Sequence, residues 1–277
     1  MKSLTNLPRN AAIFLVCFLC FAMLFACRTT PVTGRSQLIF ISEPDEIAMG
    51  LRAYKQVLAK ATLSEDPDEV AMVRRVGKRI AAVANQSDYR WEFNLIKDDK
   101  MVNAFALPGG KVAVYTGILP ITRNETGLAT VLSHEVSHAI ARHGGERMTT
   151  GLLTQLGMAA LEAGLGKKGN DPDRAKAFKV AYGAGAQLGL LLPFSRRQEL
   201  EADRIGLILM AKAGYNPKEA VLFWERMSRL DKKKAPEFLS THPSDAVRIQ
   251  EIRRWLPEAE LAYSASLSNQ EILPSAP

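Results

Sequence analysis

The sequence predicts an α+β fold, predominantly helical, in which a small β-sheet precedes a helix that presents two histidines to one metal ion. Three observations predict it. Apolar residues recur at helical spacing, with caps and breakers between the runs, from residue 42 to residue 256. Only residues 91–116 alternate in the manner of strands. The helical run that follows contains His134-Glu135-Val136-Ser137-His138, an H-E-x-x-H motif. Histidines four apart lie one above the other on a helix face, so both reach a single ion, and Glu135 stands beside them as a general base. With 4 His and 18 Glu in 277 residues, chance would place this motif in roughly four such sequences in a thousand, so it marks chemistry.

Residues 1–26 read as an export signal. Lys2 and Arg9 give a positive start, residues 11–26 are uncharged and apolar, and the first acidic residue is Glu43. Those sixteen residues are too few to cross about 30 Å of hydrocarbon comfortably, and the small Ala26 marks a cleavage point. Leu24-Phe25-Ala26-Cys27 resembles a bacterial lipobox, after which Cys27 would be the lipidated first residue. All three cysteines, Cys17, Cys20 and Cys27, belong to this segment, so the mature chain needs neither disulfide nor free thiol. A mitochondrial presequence would be amphipathic and rich in Arg and Ser, unlike this segment. Residues 27–41 then read as a lipidated tether, 42–261 as one catalytic domain and 262–277 as a polar tail. Without Lys2 and Arg9 the net charge falls from +7 to +5, an excess that suits an anionic membrane surface. The basic runs Lys232-Lys233-Lys234 and Arg253-Arg254 lack interleaved aromatics, so no nucleic-acid partner is expected.

The elements follow in order. A helix starts near Ser42 with Ile47, Leu51, Tyr54 and Leu58 on one face. Asp66-Pro67-Asp68-Glu69 supplies an N-cap and a proline at the first helical position, ahead of Val70, Val73, Val76, Ile80 and Ala84. Trp91, Phe93 and Leu95 form the apolar side of a strand, and residues 103–107 and 111–116 flank Pro108-Gly109-Gly110 as a hairpin. Thr122-Arg123-Asn124-Glu125 has the form of a capping box for the motif helix. Leu128, Val131, Leu132, Val136 and Ile140 carry that helix to a glycine stop at His143-Gly144-Gly145. Residues 151–165 and 180–194 are rich in Gly, Ala and Leu but, at roughly 22 Å each, are too short to span a bilayer. They read as helices on the core or capping the cleft, with membrane contact as the alternative. Ser195-Arg196-Arg197-Gln198 opens another capped helix, which Ile205 to Met210 take into the core. Residues 217–230 and 245–256 complete the helical set, with His242-Pro243-Ser244 between them.

A catalytic zinc takes three protein ligands and keeps one position open. His134 and His138 supply two. His143, nine residues after His134, lies about 180° round a continuous helix and faces away, as a surface residue or a group behind the ligands. Glu199 and Asp203 are a better source: they are i and i+4 on one face, whereas Glu201 is turned about 200° from Glu199. Glu199 would bind the ion, and Asp203 would hydrogen-bond the free nitrogen of a ligand histidine and set its tautomer.

These motifs resemble the gluzincin peptidases of the HtpX and CAAX-prenyl-protease family. Further matches are Asn103-Ala104-Phe105-Ala106-Leu107-Pro108-Gly109-Gly110, Ser195-Arg196 before the glutamate, and Thr241-His242-Pro243-Ser244 with Arg248. With the lipobox, the chain is similar to the LoiP-like periplasmic lipoprotein branch, and its catalytic part also resembles BepA. The resemblance covers about residues 31–255. It implies a zincin-type fold, one Zn2+ per chain on His134, His138 and Glu199, and peptide hydrolysis with Glu135 as the proton shuttle. It further implies His242, and after it Arg248, as the donor to the oxyanion. In the BepA-like branch the corresponding histidine can instead fill the ion's fourth site as a gate. Asn103, Ala104, Phe105 and Ala106 would bind an extended substrate by β-addition.

The function so implied is endopeptidase action on misfolded or unassembled cell-envelope proteins. The expected setting is the periplasmic face of a Gram-negative-type envelope, at the outer membrane, reached through lipidated Cys27. The partners are unfolded polypeptides, the membrane and envelope assembly machinery. One alternative is an envelope chaperone or assembly factor with a gated or structural zinc site, which the intact Glu135 disfavours. The other is zinc hydrolysis of a non-peptide substrate, which the strand-like docking segment disfavours.

Overall fold

A computed structural model describes residues 27–164, 194–230, 237–242 and 246–272. The expected export signal, residues 180–193, Pro243 and Ser244 lie outside them. The first described element is a hairpin where a tether is expected: β1 (Cys27–Thr29) pairs antiparallel with β2 (Ser36–Leu38). Its turn is closed by Thr30 N–H donating to Arg35 O (2.9 Å). Helix α1 (Glu43–Leu58) starts at Ser42, whose hydroxyl accepts from Asp45 N–H. Its inward face is Glu46, Gly50 and Tyr54, while Leu51 is 37% exposed. Ile47, Tyr54 and Leu58 of the expected face do pack on the core, and Glu46 joins them by turning inward to meet Arg142. Helix α2 (Pro67–Val83) is capped by Asp66, which accepts from the Asp68 and Glu69 amides, and buries Val73, Val76 and Ile80.

The sheet has the order β3-β5-β4, from β3 (Glu92–Ile96), β4 (Ala104–Leu107) and β5 (Lys111–Tyr115). The central β5 runs parallel to β3 and antiparallel to β4, with Leu107 opposite Lys111, so β4 is an edge. A 3-10 turn (Thr116–Ile118) and the short α3 (Leu119–Thr122) lead to α4 (Glu125–Ile140), which is buried from Gly127 to its end. Its cap is Asn124, which accepts from Gly127 N–H at 2.9 Å, and not the expected Thr122, whose hydroxyl donates to Leu119 O. The shift follows from Arg123, whose positive φ of 68° ends α3 and leaves Asn124 extended at the cap position.

The end of α4 also departs from expectation. The helix stops at Ile140, Arg142 takes φ 54°, and α5 (His143–Gly164) begins at once, so no glycine caps the motif helix. Gly145 instead makes room for a neighbour, since a Cβ there would collide with the Glu46 carboxylate. Helix α6 (Arg196–Lys212) carries the full Ser195–Gln198 capping box. It crosses α4 closely, since a Cβ at Gly206 would lie 3.2 Å from the backbone nitrogen of His134. Among the described residues three further helices follow, α7 (Lys218–Ser228), α8 (Glu237–Thr241) and α9 (Ala246–Ile272). The last runs on through residues 262–272 of the expected polar tail, because Ala259 is buried and Ala262 and Tyr263 pack on the core. Among the described residues no helix is long and apolar enough to cross a membrane.

Candidate metal centre

The crossing of α4 and α6 brings four buried side chains together. His134 Nε2 and His138 Nε2 are 3.2 Å apart. Glu199 closes the triangle, with Oε2 3.4 Å from His134 Nε2 and Oε1 3.3 Å from His138 Nε2. A tetrahedral zinc with ligands at about 2.0–2.1 Å requires ligand–ligand edges of about 3.3–3.4 Å, so these three groups have the spacing and chemistry of a zinc site. His242, which follows α8, places Nδ1 3.2 Å from His134 Nε2 and 3.0 Å from Glu199 Oε1. The four candidate ligand atoms all lie within 4.8 Å of one another.

Behind the triangle, His134 Nδ1 lies 3.0 Å from Asp203 Oδ1. Arg248, from α9, donates Nε and one terminal nitrogen to Asp203 at 2.8 and 2.7 Å, and its other terminal nitrogen lies 2.7 Å from Glu199 Oε2. Its guanidinium stacks 3.9 Å over Trp224, whose ring meets His134 edge to face. The sequence offers Arg248 as a second donor to an oxyanion. In the structure its nitrogens face two buried carboxylates, Asp203 and Glu199, and charge-assisted contacts of this kind hold it behind the triangle.

His143 does not face away. The 180° offset holds only for one continuous helix, and the left-handed Arg142 breaks it. His143 is fully buried, with Nδ1 2.9 Å from His138 Nδ1 and Nε2 3.1 Å from Glu201 Oε2. Glu201 does point away from the ion site. It accepts from Thr30 Oγ1 (2.6 Å), Thr33 Oγ1 and Arg35 Nε (2.6 Å), all in the turn of the N-terminal hairpin.

Glu135 lies on the other side, with Oε1 3.3 Å from His242 Nε2, and the backbone of Ala106 on β4 draws its carboxylate toward the ionised form. Asn103 accepts from the Ala104 amide at 2.9 Å and so shapes the start of β4, where Ala104 is buried and Phe105 and Ala106 are half-buried. Aromatic rings close the rest. Phe194 stacks on His138 at 3.7 Å, Phe238 lies 4.7 Å from His242, and the Arg147 guanidinium sits 3.8 Å over Phe194. Sequence reasoning misses these rings because an aromatic residue beside a ligand has the same pattern as one in the core. The H-x8-H spacing from His134 to His143 is visible in the sequence, but its meaning turns on the break at Arg142.

Burial sets most of the electrostatics. It raises Glu135 above the usual carboxylate range, against the pull of His242 and His134. It opposes ionisation of Glu199 and Asp203 too, but His242 and Arg248 hold Glu199 well below its ordinary value, and Arg248 does the same for Asp203. Burial lowers His138 well below the imidazole range, which keeps it neutral. For His134 burial is outweighed by Asp203 and Glu199, which raise it to about 9, so an arriving cation displaces a proton there.

Comparison with known proteins agrees with this chemistry. A sequence profile described as Peptidase family M48 matches residues 67–256. The chain is similar to the mitochondrial metalloendopeptidase OMA1 of Schizosaccharomyces pombe, 39% identical over 249 residues that cover 88% of this chain and 71% of that protein. It is 31% identical to the β-barrel assembly-enhancing protease of Escherichia coli (strain K12) over 258 residues, 87% of this chain and 47% of that protein. It is 28% identical to the mitochondrial metalloendopeptidase OMA1 of Homo sapiens over 258 residues, 87% of this chain and 49% of that protein. The chain thus spans about half the length of the last two. With a buried pair of histidines and a glutamate spaced for zinc, and a family match over most of its length, the chain belongs to peptidase family M48 and is a zinc metalloendopeptidase.

Proposed function

We propose that His134, His138 and Glu199 hold the zinc, that Glu135 moves the proton, and that the substrates are misfolded or unassembled cell-envelope proteins. The observation that carries the reading is the triangle of two imidazoles and a carboxylate with Glu135 and the β4 edge beside it. Zinc, when bound, supplies Lewis acidity to the scissile carbonyl and acidifies water at this position. Asp203 takes the Nδ1 proton of His134 as a hydrogen bond and leaves Nε2 free to ligate. Arg248 holds Asp203 and Glu199 in place. Glu135, poised toward protonation by burial, takes a proton from water and returns it to the leaving amine. Asn103, Ala104, Phe105 and Ala106 would receive the substrate backbone along the edge of β4, and main-chain pairing of this kind tolerates many sequences.

His242 stands between Glu135 and Glu199, at the fourth corner of the cluster. This position supports a gate: the site is closed until His242 withdraws, and the same side chain can then donate to the oxyanion. It also favours, as a second reading, an assembly factor that cleaves only when opened.

The lipobox-like Leu24-Phe25-Ala26-Cys27 and the assembly-enhancing relatives support the LoiP-like lipoprotein branch. In this reading residues 1–26 are removed, Cys27 is lipidated at the start of β1, and residues 42–261 work at the periplasmic face of the outer membrane beside the envelope assembly machinery. The OMA1 relatives are mitochondrial by name. Residues 1–26 lack the Arg- and Ser-rich character of a presequence. The test is proteolysis of an unfolded polypeptide by the purified chain, with and without chelator, beside Glu135→Gln. Chelator-sensitive cleavage lost in the variant is expected; cleavage by a zinc-replete Glu135→Gln protein would refute the assigned chemistry.

A further inference from the structure

A histidine that ligates through Nε2 carries its remaining proton on Nδ1. For His138 the group facing Nδ1 is His143 Nδ1, 2.9 Å away. At that separation one nitrogen donates and the other accepts, so His143 Nδ1 is bare and its own proton sits on Nε2. That nitrogen faces Glu201 Oε2 at 3.1 Å. An ionised carboxylate only accepts, so every bond in the row from Glu201 to His138 has one direction. Ligand histidines commonly give their second nitrogen directly to a carboxylate, carbonyl or water. For His134 the facing carboxylate is Asp203, with Oδ1 3.0 Å from Nδ1. For His138 an imidazole is interposed, which moves the carboxylate one ring outward and into reach of another part of the chain. That part is the turn between β1 and β2. Thr30, Thr33 and Arg35 bind Glu201, and Arg35 also pairs with Glu146, which accepts from Gln198 on α6. The hairpin lies ahead of residues 67–256, where the family profile matches.

We propose that His143 and Glu201 are positioning residues that fix the tautomer and orientation of His138, and that the N-terminal hairpin is the clasp that holds them through Thr30, Thr33 and Arg35. The proposal rests on His138 as a zinc ligand. Its consequence is that zinc affinity depends on a segment outside the family-matched region, touching no ligand itself.

The experiment measures zinc dissociation constants by chelator competition on the purified full chain, with cobalt-substituted absorption spectra as a second readout. His138→Ala should lose zinc outright; retention would overturn the ligand reading and the proposal with it. Given that loss, His143→Ala and Arg35→Ala should weaken zinc binding about 10- to 100-fold and shift the cobalt spectrum. Arg35→Lys, which keeps the charge, and His143→Asn, which keeps an acceptor near Nδ1, should recover part of the affinity. Arg226→Ala is the control for plain destabilisation. It breaks a partly buried pair with Glu219 (2.6 Å) and should lower Tm with the zinc constant unchanged. If His143→Ala does not fold, Arg35→Ala and Thr33→Val carry the same comparison. Folded hairpin variants that bind zinc within twofold of the parent would overturn the clasp.

Discussion

Replacing Arg248 with alanine should destabilise the zinc-free protein by about 3–5 kcal/mol and the zinc-loaded protein by less. The side chains of Arg248, Asp203 and Glu199 are each 1% exposed, so the charges left behind cannot be rehydrated in place. Asp203 loses hydrogen bonds of 2.8 and 2.7 Å, and Glu199 loses an ion-pair contact of 2.7 Å. Removing one partner of a buried ion pair costs about 3–5 kcal/mol, mostly through the charge that stays buried. The stack on Trp224, worth about 1 kcal/mol, is lost within that total. A bound dication restores positive charge beside Glu199 but not beside Asp203, so part of the penalty survives metal loading. For a chain of this size each kcal/mol moves Tm by about 2–4 °C, and the zinc-free variant should therefore melt about 6–20 °C lower. The pH dependence has a definite sign. Asp203 is depressed in the folded parent, so its pairing contributes fully above the unfolded pKa, near 4, and is lost as pH falls through the depressed value. The gap between parent and variant should narrow in acid. Calorimetry of both proteins, with chelator and with zinc, measures these quantities. A zinc-free shift under about 3 °C, or an equal shift with and without zinc, would refute the reasoning.

Other perturbations separate the remaining roles. Glu135→Gln should keep zinc and fold while kcat falls by about 10² or more, as read by metal analysis beside a peptide-cleavage assay; unimpaired turnover would remove Glu135 from the proton path. Glu199→Ala should lose stoichiometric zinc, whereas Glu201→Ala should only weaken it, and the reverse ranking in chelator titrations would contradict the geometry of α6. His242→Ala should raise turnover with zinc content unchanged, because a side chain 3.0 Å from Glu199 and 3.3 Å from Glu135 obstructs the fourth corner; a fall of about 10²–10³ would instead make it chiefly an oxyanion donor. Cys27→Ser should release the protein from membranes, checked by fractionation and by the mass of the mature N-terminus.

What can be read from the sequence is whatever depends on a fixed offset within one helix. His134 and His138, Glu199 and Asp203, and the caps at Ser42, Asp66 and Ser195 are all of this kind, and each falls where helix geometry puts it. Pro108-Gly109-Gly110 as a hairpin turn follows equally local rules. Properties set across the fold are not legible. Arg248 lies 45 residues from the carboxylate it binds, and His242 sits 108 residues from His134, so only resemblance suggests either. The hairpin at residues 27–38 has no long apolar alternation; its β pairing is stabilised by polar bonds to Glu201 that no periodicity reveals.

The placement of His143 shows where the fold spends free energy to shape the site. A non-glycine residue in the left-handed region costs about 1–2 kcal/mol, and Arg142 occupies that region at φ 54°. Without this turn α4 would run on and carry His143 to the opposite face. The side chain of Arg142 offsets the strain, donating twice to Glu46 at 3.0 Å and once to Ile41 O at 2.9 Å, and Gly145 leaves space for the Glu46 carboxylate. Glu46 belongs to α1, and Ile41 to the strand-to-helix link before it. The backbone turn that aims His143 is therefore held by α1, and the ring itself is held through Glu201 by the β1–β2 turn. Both supports come from the first sixty residues, ahead of α2. A chain beginning at α2 would retain H-E-x-x-H, Glu199, Asp203, Arg248 and Glu201, yet Glu201 would face the imidazole behind His138 without Thr30, Thr33 and Arg35 to fix it. On the proposed ligand set, the motif supplies the two imidazoles and the segment before it sets how firmly one of them is aimed.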